Sequence, residues 1–333
     1  MTSVSQLLQE HYNITPSSLS RASLGAGSDT WFVTTQDARY VLKFPEVSGM
    51  NHPENEPSLC AHLRASGIPA CEFIPNCTGS FLSRDDQGRL FHLQRFVAGT
   101  VYAWNTVPNV LLNKTAGMLG RIHAALSDYP TLPEGIGAGF FRYMTPQKAY
   151  ASYLRSLSIA ESRSEHDITM ELRWRIGLME RFPDYRFDPS KLRCLNTHGD
   201  YTISQLICSG SDINAVIDWT TACVHPAIWE LMRSYAYAAP ECANGQIDRE
   251  AFIRYVAEYC RFSPLGSYDL ECLAPLFYYQ IAVCDYYGQY YASTAANRQL
   301  FLAQARLSTR LMRWFDTHCD ALTEAMLKAP LPR

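Results

Sequence analysis

Two aspartates carry the chemistry this chain can be read to perform. Asp200 lies in Asn196-Thr-His-Gly-Asp-Tyr-Thr-Ile-Ser-Gln205, and Asp218 lies in Ala215-Val-Ile-Asp-Trp219. Between them run Leu206-Ile207-Cys208, a polar turn (Ser209-Gly210-Ser211-Asp212) and Ala215-Val216-Ile217. That is the pattern of a β-hairpin with one acid just before it and another just after it. A hairpin folds back on itself, so both carboxylates are expected at the same end. One acid to orient a hydroxyl and one to hold a metal is what phosphoryl transfer from a nucleotide requires. Asp200 would accept the hydrogen bond of the attacking hydroxyl. Asp218 would be the principal ligand of a magnesium ion, with the amide oxygen of Gln205 beside it, since magnesium takes only one or two carboxylates plus phosphate and water. His198 is read as a loop brace rather than a base.

A lysine from another part of the chain fits the same scheme. Lys43 sits inside Val41-Leu42-Lys43-Phe44, and a lysine in an apolar strand is costly unless its ammonium meets an anion. Nucleotide phosphates supply one; the competing reading is an edge-strand lysine that reaches solvent. Upstream, Leu24-Gly25-Ala26-Gly27-Ser28 forms a turn whose bare backbone amides suit phosphate oxygens. A G-x-G turn alone is a weak signal, but turn, strand, turn and lysine-bearing strand together are more specific. Glu56 is a candidate partner for Lys43, with Glu54 as its substitute. The alternative is an acid placed at a helix start by the helix dipole, and Pro57 does force Glu56 to that position.

The elements that must position these groups fall into two parts. Residues 3–12 read as a short helix, and residues 18–24, 30–35 and 39–44 as three strands. Residues 56–66 show helical spacing of Leu59, Cys60 and Leu63, ended by Gly67. Two more strands are expected near 79–82 and 90–96. Beyond Gly99 the pattern becomes helical, over 111–126, 146–162, 168–181, 227–239, 249–259, 270–292 and 298–326, with the hairpin as the only strands. The expected fold class is α+β with two lobes: a small β-rich lobe over 1–98 that binds nucleotide, and a larger helical lobe over 99–333 that carries catalysis and the acceptor. The ligand belongs in the cleft between them.

Composition sets the bounds. Of 333 residues, 47% are hydrophobic and 18% charged, which describes a globular chain. A net charge of −3 gives no electrostatic reason to expect nucleic acid or a membrane surface as partner. The eleven cysteines form no CxxC pair, so they read as reduced thiols filling apolar space, and a cytoplasmic location is expected. The N-terminus lacks the basic-then-apolar pattern of a signal peptide.

Together these residues resemble the aminoglycoside phosphotransferase and choline kinase-like superfamily, relatives of the protein kinases. The similarity spans most of the chain. It includes the early G-x-G turn, Val41-Leu42-Lys43, Glu56, Gln94-Arg95-Phe96-Val97-Ala98-Gly99 at the lobe junction, Leu119-Gly-Arg-Ile-His-Ala-Ala-Leu126, His198-Gly-Asp200 and Val216-Ile-Asp-Trp219. The resemblance implies a protein-kinase-like fold and transfer of a phosphate from ATP, or GTP, to a small-molecule hydroxyl. It also implies backbone contacts from Arg95 and Val97 to the adenine ring, Lys43 on the α/β-phosphates, Asp200 as catalytic residue and Asp218 on Mg2+. The chain departs from the family at Gln205, where asparagine is usual, and in the loop Tyr201-Thr202-Ile203-Ser204. The acidic residue expected in the helix after the metal aspartate is displaced to Glu230, which is read as structural before substrate-binding.

On the acceptor side, Phe277–Tyr291 carries six tyrosines with Asp285 among them. Asp285 and Tyr286 there suit a cationic or polyhydroxylated ligand, or the helix simply packs between its neighbours. Two functional readings follow: a kinase for a small amino alcohol, amino sugar or similar hydroxyl compound, and a nucleotide-binding module with weak or no transferase activity. A protein kinase is disfavoured by the lack of Asp-Phe-Gly and Ala-Pro-Glu segments. The acceptor, the choice of nucleotide and the oligomeric state are not legible in the sequence.

Overall fold

The computed structural model describes residues 2–22, 28–47, 51–135, 140 and 143–332. The chain opens on helix α1 (Val4–Tyr12). Ser3 caps it in a reciprocal box with Gln6, and Asn13 ends it in the left-handed region. An antiparallel sheet follows, built from β1 (Ser18–Arg21), β2 (Asp29–Thr34), β3 (Arg39–Phe44), β4 (Phe73–Ile74), β5 (Ser83–Arg84) and β6 (Leu90–Arg95). Its order is β1-β2-β3-β6-β4, with β5 also paired to β6. The register sets Thr30 opposite Lys43 and Lys43 opposite His92, so the lysine sits on a central strand rather than an edge. Helix α1 and the sheet share one apolar cluster that includes Leu7, Leu8, Val33, Leu42, Phe91 and Leu93. Helix α2 (Glu56–Ala65) turns the other way. Its buried Leu59, Cys60 and Leu63 join the large core of the later helices.

Those helices are α3 (Asn109–Ala125), α4 (Pro146–Ser162), α5 (His166–Glu180), α6 (Ala227–Ala238), α7 (Arg249–Cys260), α8 (Ser267–Val283), α9 (Tyr286–Ala292) and α10 (Ala295–Lys328). The expected hairpin is present as β8 (Leu206–Ser209) with β9 (Asp212–Val216), irregular between Ile207 and Cys208. It is not the only β structure in this half. Cys194–Thr197 (β7) pairs antiparallel with Cys223–Pro226 (β10), clamping the chain before Asp200 to the chain after Asp218. Four-residue strands broken by Asn, His and Pro show no period-2 pattern, so tertiary pairing alone defines them. Similarly, β4 is too short to register in sequence, and the strand expected at 79–82 lies at Ser83–Arg84. The long tyrosine-rich helix expected over 270–292 is two helices. Asp285 interrupts it by accepting the Gly288 N–H (2.8 Å) as the N-cap of α9.

The N-terminal part and the hairpin are stitched at Val216, whose N–H donates to the Pro69 carbonyl (2.7 Å), and at Thr100. Thr100 and Cys208 exchange backbone hydrogen bonds (2.8 and 2.9 Å), and Gly99 precedes them with φ 153°. A Cβ at Gly99 would lie 2.6 Å from the Cys208 carbonyl oxygen, so only glycine permits this crossing. All eleven cysteines are free thiols, eight of them buried. Among the described residues no helix is long and apolar enough to cross a membrane.

Candidate active site

Asp200 leaves β7 through a loop that the sequence makes compulsory. Gly199 has φ 86°, and a Cβ there would fall 1.9 Å from the Thr221 carbonyl oxygen. Buried Glu230 on α6 holds the loop from beneath. Its Oε2 accepts the His198 backbone N–H (3.3 Å) and His123 Nε2–H (3.2 Å), and its Oε1 accepts the Tyr201 N–H (3.2 Å). Burial works against this charge, yet the His123 hydrogen bond and the neighbouring histidines bring the Glu230 carboxyl down to about 2. Glu230 thus braces the backbone on both sides of Asp200. It is fully enclosed, and its oxygens are spent on the loop.

His198 joins the two acidic loops. Its Nδ1 accepts the Asp200 backbone N–H (3.3 Å), which leaves Nε2–H to donate to the Ile217 carbonyl (2.9 Å), one residue before Asp218. Gln205 makes a second tie. Its carbonyl accepts the Ile217 N–H (2.9 Å), and its side-chain Nε2 donates to Asp200 Oδ2 (3.2 Å). Asp218 adopts left-handed backbone angles (φ 65°, ψ 65°), a conformation that aspartate tolerates better than most residues. Lys43 Nζ reaches it from β3 across the chain and donates to Asp218 Oδ1 at 2.5 Å. Burial opposes the lysine charge, but Asp218 and then Glu56 hold its pKa above the ordinary value. Burial likewise opposes the Asp218 charge, and Lys43 outweighs it, holding that carboxyl below its usual range.

The expected Lys43–Glu56 pair is replaced by this Lys43–Asp218 pair. Glu56 lies close enough to feel Lys43, but its Oε1 accepts the Trp219 backbone N–H (2.8 Å) and its buried Oε2 has no hydrogen-bond partner among the described residues. Burial, offset in part by Lys43, lifts its carboxyl to about 7. Pro57 in the first turn of α2 puts Glu56 at the helix start, where it meets the Trp219 turn instead of the lysine. Glu54 is no substitute, since it is exposed and pairs with His52 (3.2 Å). At the lobe junction the Arg95 N–H is taken by the Glu72 carbonyl (2.8 Å) and its side chain by the Glu72 carboxylate (3.0 Å). Val97, two residues on, is half-buried. Ser28 is half-buried and leads into β2; Gly25 and Gly27 lie outside the described residues.

Sequence reasoning missed Arg233. From α6 its Nη1 donates to Asp200 Oδ1, and its side chain is only 16% exposed. The spacing Glu230-Leu-Met-Arg233 was the available signal, because residues three apart share a helix face. Next to it, Tyr237 lies under the guanidinium (5.4 Å to the ring centroid), and Trp104 packs edge-on against Tyr237 (4.7 Å). Tyr286 adjoins both Arg233 and Tyr237 electrostatically. Asp285, expected to meet a cationic ligand, instead spends Oδ1 on Gly288 N–H and Oδ2 on the Ser152 hydroxyl.

Residues 18–268, three quarters of the chain, match the sequence profile of the phosphotransferase enzyme family. The chain belongs to that family. Sequence comparison finds no matching curated protein. Solved structures with the same fold include a microcompartment-associated aminopropanol kinase (TM-score 0.64, 14% identity, covering 95% of this chain and 98% of that one). Another is an aminoglycoside phosphotransferase from Alicyclobacillus acidocaldarius (0.63, 13%, 97% and 97%). A third is the amicoumacin kinase hAmiN in complex with AMP-PNP, Ca2+ and Ami (0.60, 13%, 94% of each). At these identities the likeness establishes a shared fold: a small antiparallel sheet at the N-terminal end and a helical C-terminal part. Within this phosphotransferase-family fold, Asp200, Gln205, Asp218, Lys43 and Glu56 form one connected cluster.

Proposed function

We propose that the chain is a metal-dependent kinase that transfers the γ-phosphate of ATP or GTP to the hydroxyl of a small molecule. The observation that carries this reading is the coupling of Asp200 and Asp218 through His198 and Gln205, with Lys43 bonded to Asp218. In the reaction the acceptor oxygen bonds to the γ-phosphorus, the bond from that phosphorus to the β–γ bridging oxygen breaks, and the nucleoside diphosphate leaves. Asp200, 38% exposed at its side chain, orients the hydroxyl and takes its proton. Lys43 exchanges Asp218 for the donor phosphates, and Glu56 keeps a compensating carboxyl beside it. Residues 1–98 serve as the nucleotide lobe, with Val97 and the Arg95 carbonyl at the adenine edge, and 99–333 as the catalytic lobe.

The donor set fits magnesium. Asp218 and Gln205 offer hard oxygen ligands, and the described residues hold no group of three His, Cys, Asp or Glu side chains for a protein-only metal site. An ion shared with phosphates needs no more. When bound it would neutralise charge on the phosphates; Asp218 would hold it first, and Gln205 by its amide oxygen, since the amide nitrogen already serves Asp200. The aminopropanol, aminoglycoside and amicoumacin kinases with this fold support a small-molecule acceptor.

Asp200→Ala tests the reading. Acceptor-dependent release of nucleoside diphosphate should fall by at least ~10³-fold, while nucleotide binding persists. Wild-type turnover in that variant would reject Asp200. Nucleotide binding by the wild-type chain without consumption across a broad acceptor panel would assign a binding module instead.

A further inference from the structure

We infer that the acceptor carries an oxyanion, a carboxylate or a phosphate, a few bonds from the hydroxyl that is phosphorylated, and that Arg233 is its receptor. The inference rests on the kinase reading of Asp200 and goes on to the chemical class of the substrate.

A guanidinium presents five N–H donors in a rigid planar fork that matches carboxylate and phosphate oxygens. Among the described residues, only Asp200 accepts a hydrogen bond from Arg233. The rest of the fork is sheltered by Tyr237 and Tyr286, which supply ring faces and phenols but no compensating charge. A largely enclosed cation needs anions, and its single partner is the side chain that must serve the acceptor hydroxyl. Asp200 cannot turn fully toward Arg233, because Gln205 holds its other oxygen.

The carboxylates available for a cationic acceptor point the same way. Asp285 is committed to Ser152 and Gly288, and Glu230 is sealed behind the catalytic loop. A polycation entering here would find no unspent acid on these elements and would meet Arg233 instead. An oxyanion on the remaining N–H groups of the fork, whose side chain keeps 16% exposure, with Asp200 on the others, fits both the charge and the donors. Because one guanidinium serves both groups, the hydroxyl and the oxyanion of the acceptor must be close neighbours, as in short hydroxy acids and hydroxyalkyl phosphates.

Binding is measured on the full chain with AMP-PNP and MgCl2, by titration calorimetry, for matched ligands. These are 4-hydroxybutyrate and glycerate (carboxylate arm), glycerol 3-phosphate (phosphate arm), the neutral amides of the two acids, and the amino alcohols serinol and ethanolamine. The expected result is that members of one oxyanion arm bind wild type at least tenfold tighter than the amides and amino alcohols. R233Q should remove that preference, and R233K should restore part of it. Unchanged AMP-PNP affinity shows that each variant is folded. The inference is overturned if amides or amino alcohols bind as tightly as oxyanions, if no oxyanion binds, or if R233Q weakens neutral and anionic ligands equally, which would make Arg233 a positioning residue for Asp200. Turnover is followed separately. Arg233-dependent oxyanion binding with no phosphoryl transfer would refute the kinase reading alone. Transfer to amino alcohols only would refute this inference alone.

Discussion

Replacing Glu230 by glutamine keeps the size of the side chain and removes its charge. The carboxylate accepts three hydrogen bonds, from His123, His198 and Tyr201, in a fully enclosed site. Glutamine can accept at one position but turns a second N–H donor toward donors, so at least one buried group is left unpaired. The pKa gives an independent magnitude. A carboxyl held at about 2 instead of 4.5 favours the ionised folded state by about 3 kcal/mol, at about 1.4 kcal/mol per pH unit. The sign follows from the depressed value: the contribution is complete above pH 4.5 and is lost as pH falls toward 2. Urea unfolding at pH 7.5 should therefore show E230Q less stable by about 3 kcal/mol with an unchanged m value. The gap should stay constant from pH 8 to 5 and narrow below. Because the same bonds set the backbone of His198 and Tyr201 on either side of Asp200, turnover should fall as well. A loss below about 1 kcal/mol, or a gap that widens in acid, would refute the account of Glu230 as the anchor of the loop.

Gly199→Ala combines left-handed backbone angles with a Cβ pressed on the Thr221 carbonyl, and should cost about 3 kcal/mol; calorimetry should show Tm lowered by roughly 4 °C. Glu56 has a raised carboxyl, so its contribution is favourable below pH 4.5 and is lost as pH rises through about 7. E56Q should thus gain stability relative to wild type between pH 5 and 8 in parallel urea titrations, and a pH-independent difference would contradict the assignment. Asp285→Ala removes the N-cap of α9 and the Ser152 bond, and should cost about 1–2 kcal/mol in unfolding.

The local character of the site was legible. Lys43 in an apolar strand, Asp200 after an obligatory glycine, Asp218 after an apolar strand and the intervening turn all have signatures in residue type and spacing. So did most helices, whose apolar period repeats over ten residues or more. Pairing between distant segments was not legible. Whether Lys43 met Glu56 or Asp218 depended on where α2 begins relative to the Trp219 turn, and nothing within either segment records that distance. The β7–β10 ladder was invisible for a similar reason, since four-residue strands are defined by their partner.

The amino-acid order by itself determined which groups exist and how each is presented: a glycine that frees the turn before Asp200, a proline that starts α2 at Glu56, an aspartate that tolerates left-handed angles at 218. Only tertiary structure decided what each charge touches. It set Arg233 against Asp200, enclosed Glu230 beneath the loop and committed Asp285 to a helix cap. The physical reason is that conformational preference acts over a few bonds, whereas the energy of an ionised side chain depends on the few ångströms around it. In a folded chain those ångströms are occupied by residues a hundred positions away.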